Sequence, residues 1–206
     1  MTLRPYDLLT LGAERVCAWA PVRTLGERHR PRIVQHLLAL TSEDRLRRFG
    51  HVATDEHLER YARQIDLDRD RVFGVFDSGL ALVAMAHLAF DPLREGAEFG
   101  VSVHAHLRGR GLGSALFDHA VTHARNRAVR QLVIYLARDN AAMLHIVKQA
   151  GATIRFDGPD VRAELPLPGD SLASQLQEFL GLHAGELDYR MKLQARRLGR
   201  LLPGLG

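Results

Sequence analysis

The chain has 206 residues, 46% hydrophobic and 25% charged, with a formal net charge of +4. That composition is one of a globular domain with a real core, not a disordered chain, and the mild positive charge does not by itself argue for nucleic-acid binding. A single cysteine, Cys17, excludes an internal disulfide framework and a multi-cysteine zinc site.

The first residues, "MTLRPYDLLT", lack the apolar core and cleavage signature of a signal peptide, and no apolar run approaches the roughly 18 residues of a spanning helix. The expectation is a cytoplasmic protein with a leader over residues 1–15, a domain over 16–168 and a basic helical extension over 169–206. A first strand is expected within Arg15 to Leu25. From Glu27 to Leu40, Ile33, Val34, Leu37 and Leu38 fall on one face of a helix. Thr41 and Ser42, followed by acids, are caps for a second helix, and Thr54 is the cap for a third carrying Leu58, Tyr61 and Ile65.

Strand signals follow. "RVFGVFDSGLALVAMAHLAF" reads as two strands around a turn at Asp77-Ser78-Gly79, and "AEFGVSVHAHL" as a further strand. A helix is expected from Leu112 to about Ala128, then a buried strand over Gln131–Ala137. "NAAMLHIVKQAG" is a helix capped by Asn140, with Met143, Ile146, Val147 and Ala150 on one face and Gly151 ending it. Two short strands near Thr153–Phe156 and Val161–Leu165 close the domain. The sum is a mixed α/β fold.

The stretch "RGRGLGSALFDHA" places three glycines directly before a helical pattern. Glycine lets a ligand approach the main chain, and a helix N-terminus offers unpaired N–H groups with a partial positive charge, so the arrangement suits an anion such as phosphate. The spacing is not that of a Walker loop, which needs G-x-x-x-x-G-K-[ST]. Nor is it a Rossmann fingerprint, whose third glycine falls on Ser114 or Leu116. It fits R/Q-x-x-G-x-G/A, read as Arg108, Gly109, Arg110, Gly111, Leu112 and Gly113. That motif follows "V-S-V" (Val101–Val103) and precedes "N-x-x-M…K-x-x-G", here Asn140, Met143, Lys148 and Gly151.

In these motifs the chain resembles the GNAT superfamily of N-acetyltransferases, over about residues 20 to 165. "LTSEDRLRRFG" and "HLERYARQIDLDRDRVFGVF" are similar to the N-terminal half of GNAT domains of bacterial protein-lysine acetyltransferases. The resemblance implies a splayed, mostly antiparallel central sheet flanked by helices, with acetyl-CoA as cosubstrate. Main-chain N–H groups from Gly109 to Ser114 would converge on the CoA diphosphate, with Arg108, Arg110 and the Ser114 hydroxyl adding to them. Val101 and Val103 would pair with pantetheine through their backbone, their side chains being core. Asn140 would bind the cofactor or cap its helix.

Acetyl transfer needs a neutral amine, and a lysine amine near pKa 10.4 is protonated at neutral pH, so a base is useful. The resemblance assigns that role to Glu98, acting directly or through water; a solvated carboxylate is the alternative. Asp91, Glu95 and His87 are weaker substitutes, and His87, in an otherwise apolar strand, reads better as a hydrogen-bonded core histidine. The helix that carries a tyrosine acid in the superfamily has none here, and Tyr135, on a buried strand, reads as packing. Among eleven histidines, His119 and His123 share a helix face and His104 and His106 alternate at a strand end. With no third ligand, solvated faces are expected rather than a metal.

The expected reaction is direct attack of an acceptor amine, a protein lysine or a small molecule, on the thioester. The rival class is a non-catalytic acyl-CoA-binding module. No membrane or nucleic-acid partner is expected. The tail, with Leu187, Met191, Leu198 and Leu201 among basic residues, is expected to pack on its own domain or on a twin in a homodimer.

Overall fold

The computed structural model describes residues 21–91, 95–167, 185–186 and 188–193. The expected leader and Cys17 lie outside these residues, as do Leu187, Leu198 and Leu201.

A short strand β1 (Arg23–Leu25) is followed by a 3-10 turn (Glu27–His29) and three helices, α1 (Arg30–Leu38), α2 (Ser42–Phe49) and α3 (Asp55–Gln64). The single helix expected over Glu27–Leu40 is shortened because Pro31 sits at its first turn and the preceding residues tighten into the 3-10 turn. Thr41 and Thr54 cap α2 and α3 by accepting from the N–H groups of Asp44 and His57. Then come β2 (Arg71–Phe76), β3 (Leu82–Phe90), β4 (Gly96–Val103), α4 (Leu112–Asn126), β5 (Gln131–Ala137), α5 (Ala141–Gln149), β6 (Thr153–Asp157) and β7 (Asp160–Pro166). The "HAHL" segment read as strand is instead a 3-10 turn over Ala105–Leu107.

The strands form one seven-stranded sheet in the order β1-β2-β3-β4-β5-β7-β6. Every neighbouring pair is antiparallel except β4 and β5. The parallel pairing covers only Gly96–Glu98 against Gln131–Val133. Beyond it, β4 stays with β3 through Val103 and β5 stays with β7 through Ala137, so the two strands part in the middle of the sheet.

Successive side chains of a strand face opposite sides, and both sides here are covered. On one, Phe99, Leu132 and Ile134 pack with Leu116, Phe117 and Ala120 of α4 and Val147 of α5. On the other, Val72, Leu82 and Met85 pack with Ile33, Leu37, Leu58 and Ala62 of α1 and α3. At roughly 25 cal/mol per Å² of apolar surface removed from water, these two layers supply the main driving force for folding.

Several expectations change on contact with the packing. Tyr135 is 55% exposed, because β5 buries only one face. Val101 and Val103 are half-buried rather than core, since the strands part beside them. His119 and His123 are not on a solvated face: both set their rings edge-on to Phe73 beneath α4. Ala150 is exposed at the end of α5. The described part of the tail is helical and docks on the β1–β2 edge, with Tyr189 against Phe76 and under the Arg23 guanidinium, and Glu186 paired with Arg23 at 2.7 Å.

Candidate active site

The gap between β4 and β5 opens into two cavities that meet at α2. The first, about 390 Å³, is the loop-side cleft. Its walls are Val101 and Val103 of β4, the segment around Gly111, the first turn of α5 and residues of α2. Gly109 and Gly111 sit at φ +71° and +77°, a left-handed backbone that costs an L side chain roughly 1–2 kcal/mol. Gly111 is the N-cap of α4 and, having no side chain, gives the helix no cap, so the N–H groups of the first turn remain for a ligand. Gly113 lies beside α5, where a Cβ would make an ordinary 3.7 Å contact with Ile146 Cδ1.

Of the residues singled out in the sequence, this cleft brings together Val101, Val103, Arg108, Gly109, Gly111, Leu112, Gly113, Ser114 and Asn140. Arg110 is exposed and not among the lining residues. Arg108 is already engaged, paired with the buried Asp44 of α2 and donating to the Val103 carbonyl at 3.3 Å. Burial works to raise the Asp44 carboxyl, but Arg108 and the Thr41 hydroxyl and N–H outweigh it and hold it below its ordinary value. Asn140 caps α5, accepting from Met143 N at 3.1 Å, and lines the cleft from that position.

The second, the strand-side cavity, is about 840 Å³ and is walled by β3, β4, β5 and the β6–β7 hairpin, with residues of α2 and α3. Glu98 is exposed on its wall, with Gly100 two residues on, and Phe49, Tyr61, His87 and Tyr135 are its aromatic lining. Both cavities have volumes usual for ligand sites.

They join at Arg48, which lines both. A Cβ at Gly100 would overlap the Arg48 guanidinium, so the glycine makes the space in which that cation stands over the parted strands. Arg48 Nη2 donates to Tyr61 Oη at 3.0 Å. Tyr61 Oη is 2.7 Å from His87 Nδ1, and His87 Nε2 is 3.1 Å from Asp70 Oδ2. Burial raises the Tyr61 phenol, and Arg48 only partly offsets it. Burial also works to raise Asp70, but hydrogen bonds from His87, Arg69 and Phe90 N–H carry it down to about 2.

Sequence reasoning missed Arg48, Tyr61 and Asp70. Tyr61 looked like one more apolar helical position, and a pair of arginines on a polar helix carries no signal of its own. His87, polar in an apolar strand, was the one visible sign, and it is buried and hydrogen-bonded as expected. Among the described residues, no cluster of His, Cys, Asp or Glu is arranged to hold a metal, and no helix is long and apolar enough to cross a membrane.

Residues 36–152 match the model of the Acetyltransferase (GNAT) family. The fold is similar to that of the GNAT domain of a protein acetyltransferase, PAT, from S. lividans, with 23% identity and a TM-score of 0.59 over 71% of this chain and 89% of that one. It is similar too to spermidine N-acetyltransferase from Vibrio cholerae in complex with CoA and spermine, at 18% identity and a TM-score of 0.56, covering 71% and 94% of the two chains. A ribosomal L7/L12 alpha-N-protein acetyltransferase in complex with coenzyme A matches at 19% identity and a TM-score of 0.58, covering 72% and 94%. With the parted strands and the glycine loop at their mouth, the family match identifies the chain as a member of the GNAT acetyltransferases, acyl-CoA-dependent N-acetyltransferases whose cosubstrate is acetyl-CoA.

Proposed function

We propose that the loop-side cleft takes acetyl-CoA and the strand-side cavity takes a primary amine, preferentially a protein lysine, which attacks the thioester directly. The observation that carries this reading is that the two cavities flank the gap between β4 and β5 and share Arg47 and Arg48 of α2, with Arg48 in the space left by Gly100. The uncapped first turn of α4, with the backbone of Gly109 to Ser114, holds the diphosphate, and the Ser114 hydroxyl adds a donor. Arg108 lends charge to this loop, held in place by Asp44. The main chain of Val101 and Val103 pairs with the pantetheine arm. Asn140 keeps α5 in register as its cap.

Glu98 draws the acceptor ammonium into the strand-side cavity and receives its proton, directly or through water. The acetyl carbon then bonds to nitrogen, the C–S bond breaks, the electron pair leaves with sulfur as thiolate, and the second nitrogen proton is released into the strand-side cavity. A thiol of pKa about 8.5 departs without an obligatory proton donor, so the absence of a tyrosine on α5 does not block the step. The similarity of the N-terminal half to protein-lysine acetyltransferases favours a protein lysine over a small amine. The catalytic domain corresponds to residues 16–168, with 169–206 as its extension.

Titration calorimetry with acetyl-CoA, with NAD and ATP as controls, tests the cleft. Selective binding is expected; equal binding of ATP would reject the assignment. Thiol release with a lysine peptide and with spermidine then tests the acceptor, the peptide being turned over faster.

A further inference from the structure

We propose that Tyr61, His87 and Asp70 form a proton relay that carries the acceptor's proton from the strand-side cavity into the sheet, with Tyr61 as the group that meets the acceptor or its water. The proposal rests on the acceptor cavity assigned above and deepens it.

The direction of the relay follows from the hydrogen bonds. Asp70 is ionised and fully engaged: it accepts from His87 Nε2 at 3.1 Å, from Arg69 Nε at 2.9 Å and from Phe90 N at 3.3 Å. A carboxylate only accepts, so the His87 proton resides on Nε2 and Nδ1 is the open acceptor. Tyr61 Oη therefore donates to Nδ1 over 2.7 Å, and in turn accepts from Arg48. One phenol lone pair remains for a further donor, and Tyr61 lines the cavity.

Placement agrees with this reading. On the sheet, His87 pairs with Gly100 and Ala89 with Glu98, so His87 and Glu98 are diagonal neighbours on one face. The missing side chain at Gly100 leaves the space between them to the Arg48 guanidinium and the Tyr61 hydroxyl. A buried histidine needs partners on both nitrogens; what points beyond packing is that one of these partners, Tyr61, lines the cavity that also holds Glu98. The charged and titratable groups facing His87 are Tyr61 from α3, Asp70 with its partner Arg69 from the turn before β2, Arg48 from α2 and Glu98 from β4.

In the step, Glu98 takes the ammonium's first proton as above. The second nitrogen proton, released as the neutral amine forms the C–N bond, passes directly or through water to Tyr61 Oη as the phenolic proton passes to His87 Nδ1. The imidazolium so formed is paired with Asp70. The C–S bond then breaks, and its electron pair leaves with sulfur as thiolate. The relay resets by returning its proton through Tyr61 to cavity water. Tyr61 is the catalytic residue here; His87 and Asp70 act through it.

The test is steady-state acetylation of a lysine peptide, with spermidine as second acceptor, across pH 5 to 9, beside calorimetry with acetyl-CoA. Tyr61→Phe keeps the ring and removes only the hydroxyl. It is expected to lower kcat by about 10- to 100-fold, at or below the low end of general-base effects, with KM for acetyl-CoA and calorimetric Kd unchanged, and to erase the low-pH limb of kcat. Asp70→Asn is expected to move that limb to lower pH, because the imidazolium loses its anionic partner. Glu98→Gln is expected to keep the limb at reduced rate. Wild-type kcat and pH profile in Tyr61→Phe would overturn the relay alone. A wild-type chain that binds acetyl-CoA and acetylates neither acceptor would overturn the acceptor reading and the relay with it.

Discussion

The two halves of the site are built by different means. The loop-side cleft draws much of its lining from two short stretches of chain, Val101–Val103 at a strand end and the glycine loop into the start of α4, with α2 and α5 closing it. The strand-side cavity is made of side chains from α2, α3, β3, β4, β5 and the β6–β7 hairpin. A cosubstrate used unchanged by a whole family can be held by main chain, which any compatible sequence presents. An acceptor is recognised by side chains, and these come from parts of the chain that only folding brings together.

The largest effect expected from breaking this contrast is on the acceptor half. Glu98→Gln should lower kcat by about 100-fold, at the low end of general acid–base contributions, while acetyl-CoA Kd stays within about twofold. Equal rates in the two enzymes would remove Glu98 from the mechanism. On the cofactor half, Gly111→Val should weaken acetyl-CoA binding by about tenfold or more, since the left-handed backbone costs roughly 1–2 kcal/mol and the branch crowds the first turn of α4. Calorimetry reads this directly, and unaltered affinity would show that the loop conformation does not matter to the ligand.

A third prediction concerns the scaffold behind both halves. His36, buried under β3 and β4, is held down to about 3 by burial, with His104 stacked on it at 4.5 Å adding to the effect. His29 is held down to about 4 by burial, with Arg23 beside it. A histidine depressed in the folded state stabilises fully above its ordinary value near 6.5 and progressively less as pH falls toward the folded value. The melting temperature should therefore drop between about pH 6.5 and 4, and His36→Gln should flatten that drop. A flat profile in the native protein would contradict the burial of both rings.

Smaller effects sharpen the picture of the loop. Arg108→Ala should weaken acetyl-CoA by only a few-fold, about 1 kcal/mol, because the half-exposed guanidinium is partly neutralised by Asp44. The same change leaves Asp44 buried without its cation, so it should also lower the melting temperature measurably. Arg110→Ala, outside the cleft, should change neither quantity, and a larger loss than at Arg108 would reverse their assigned roles.

Much of the fold was legible in the chain. Thr41, Thr54 and Asn140 announce their helices because a cap is a local hydrogen bond, spanning three residues and needing nothing from elsewhere. Asp77 announces the β2–β3 turn in the same way, accepting from Ala81 N at 2.8 Å. Reading Tyr135 as packing failed because a short apolar run does not reveal which of its faces a neighbour will cover. The His119–His123 pair was misjudged for a like reason: Phe73, to which both turn, is 46 and 50 residues away in sequence.

The sequence by itself determined the helices, the hairpin and the glycine loop, since backbone angles and caps are settled by neighbours along the chain. It also carried the family, because that loop, its strand and the capped helix after it follow one another without interruption. Only the tertiary structure decided that β4 and β5 part after Glu98, that Gly100 makes room for Arg48, and that Tyr61 reaches His87 from α3. Those contacts depend on strand register and on where α2 and α3 cross the sheet, and both are set by the burial of two apolar layers rather than by any local signal.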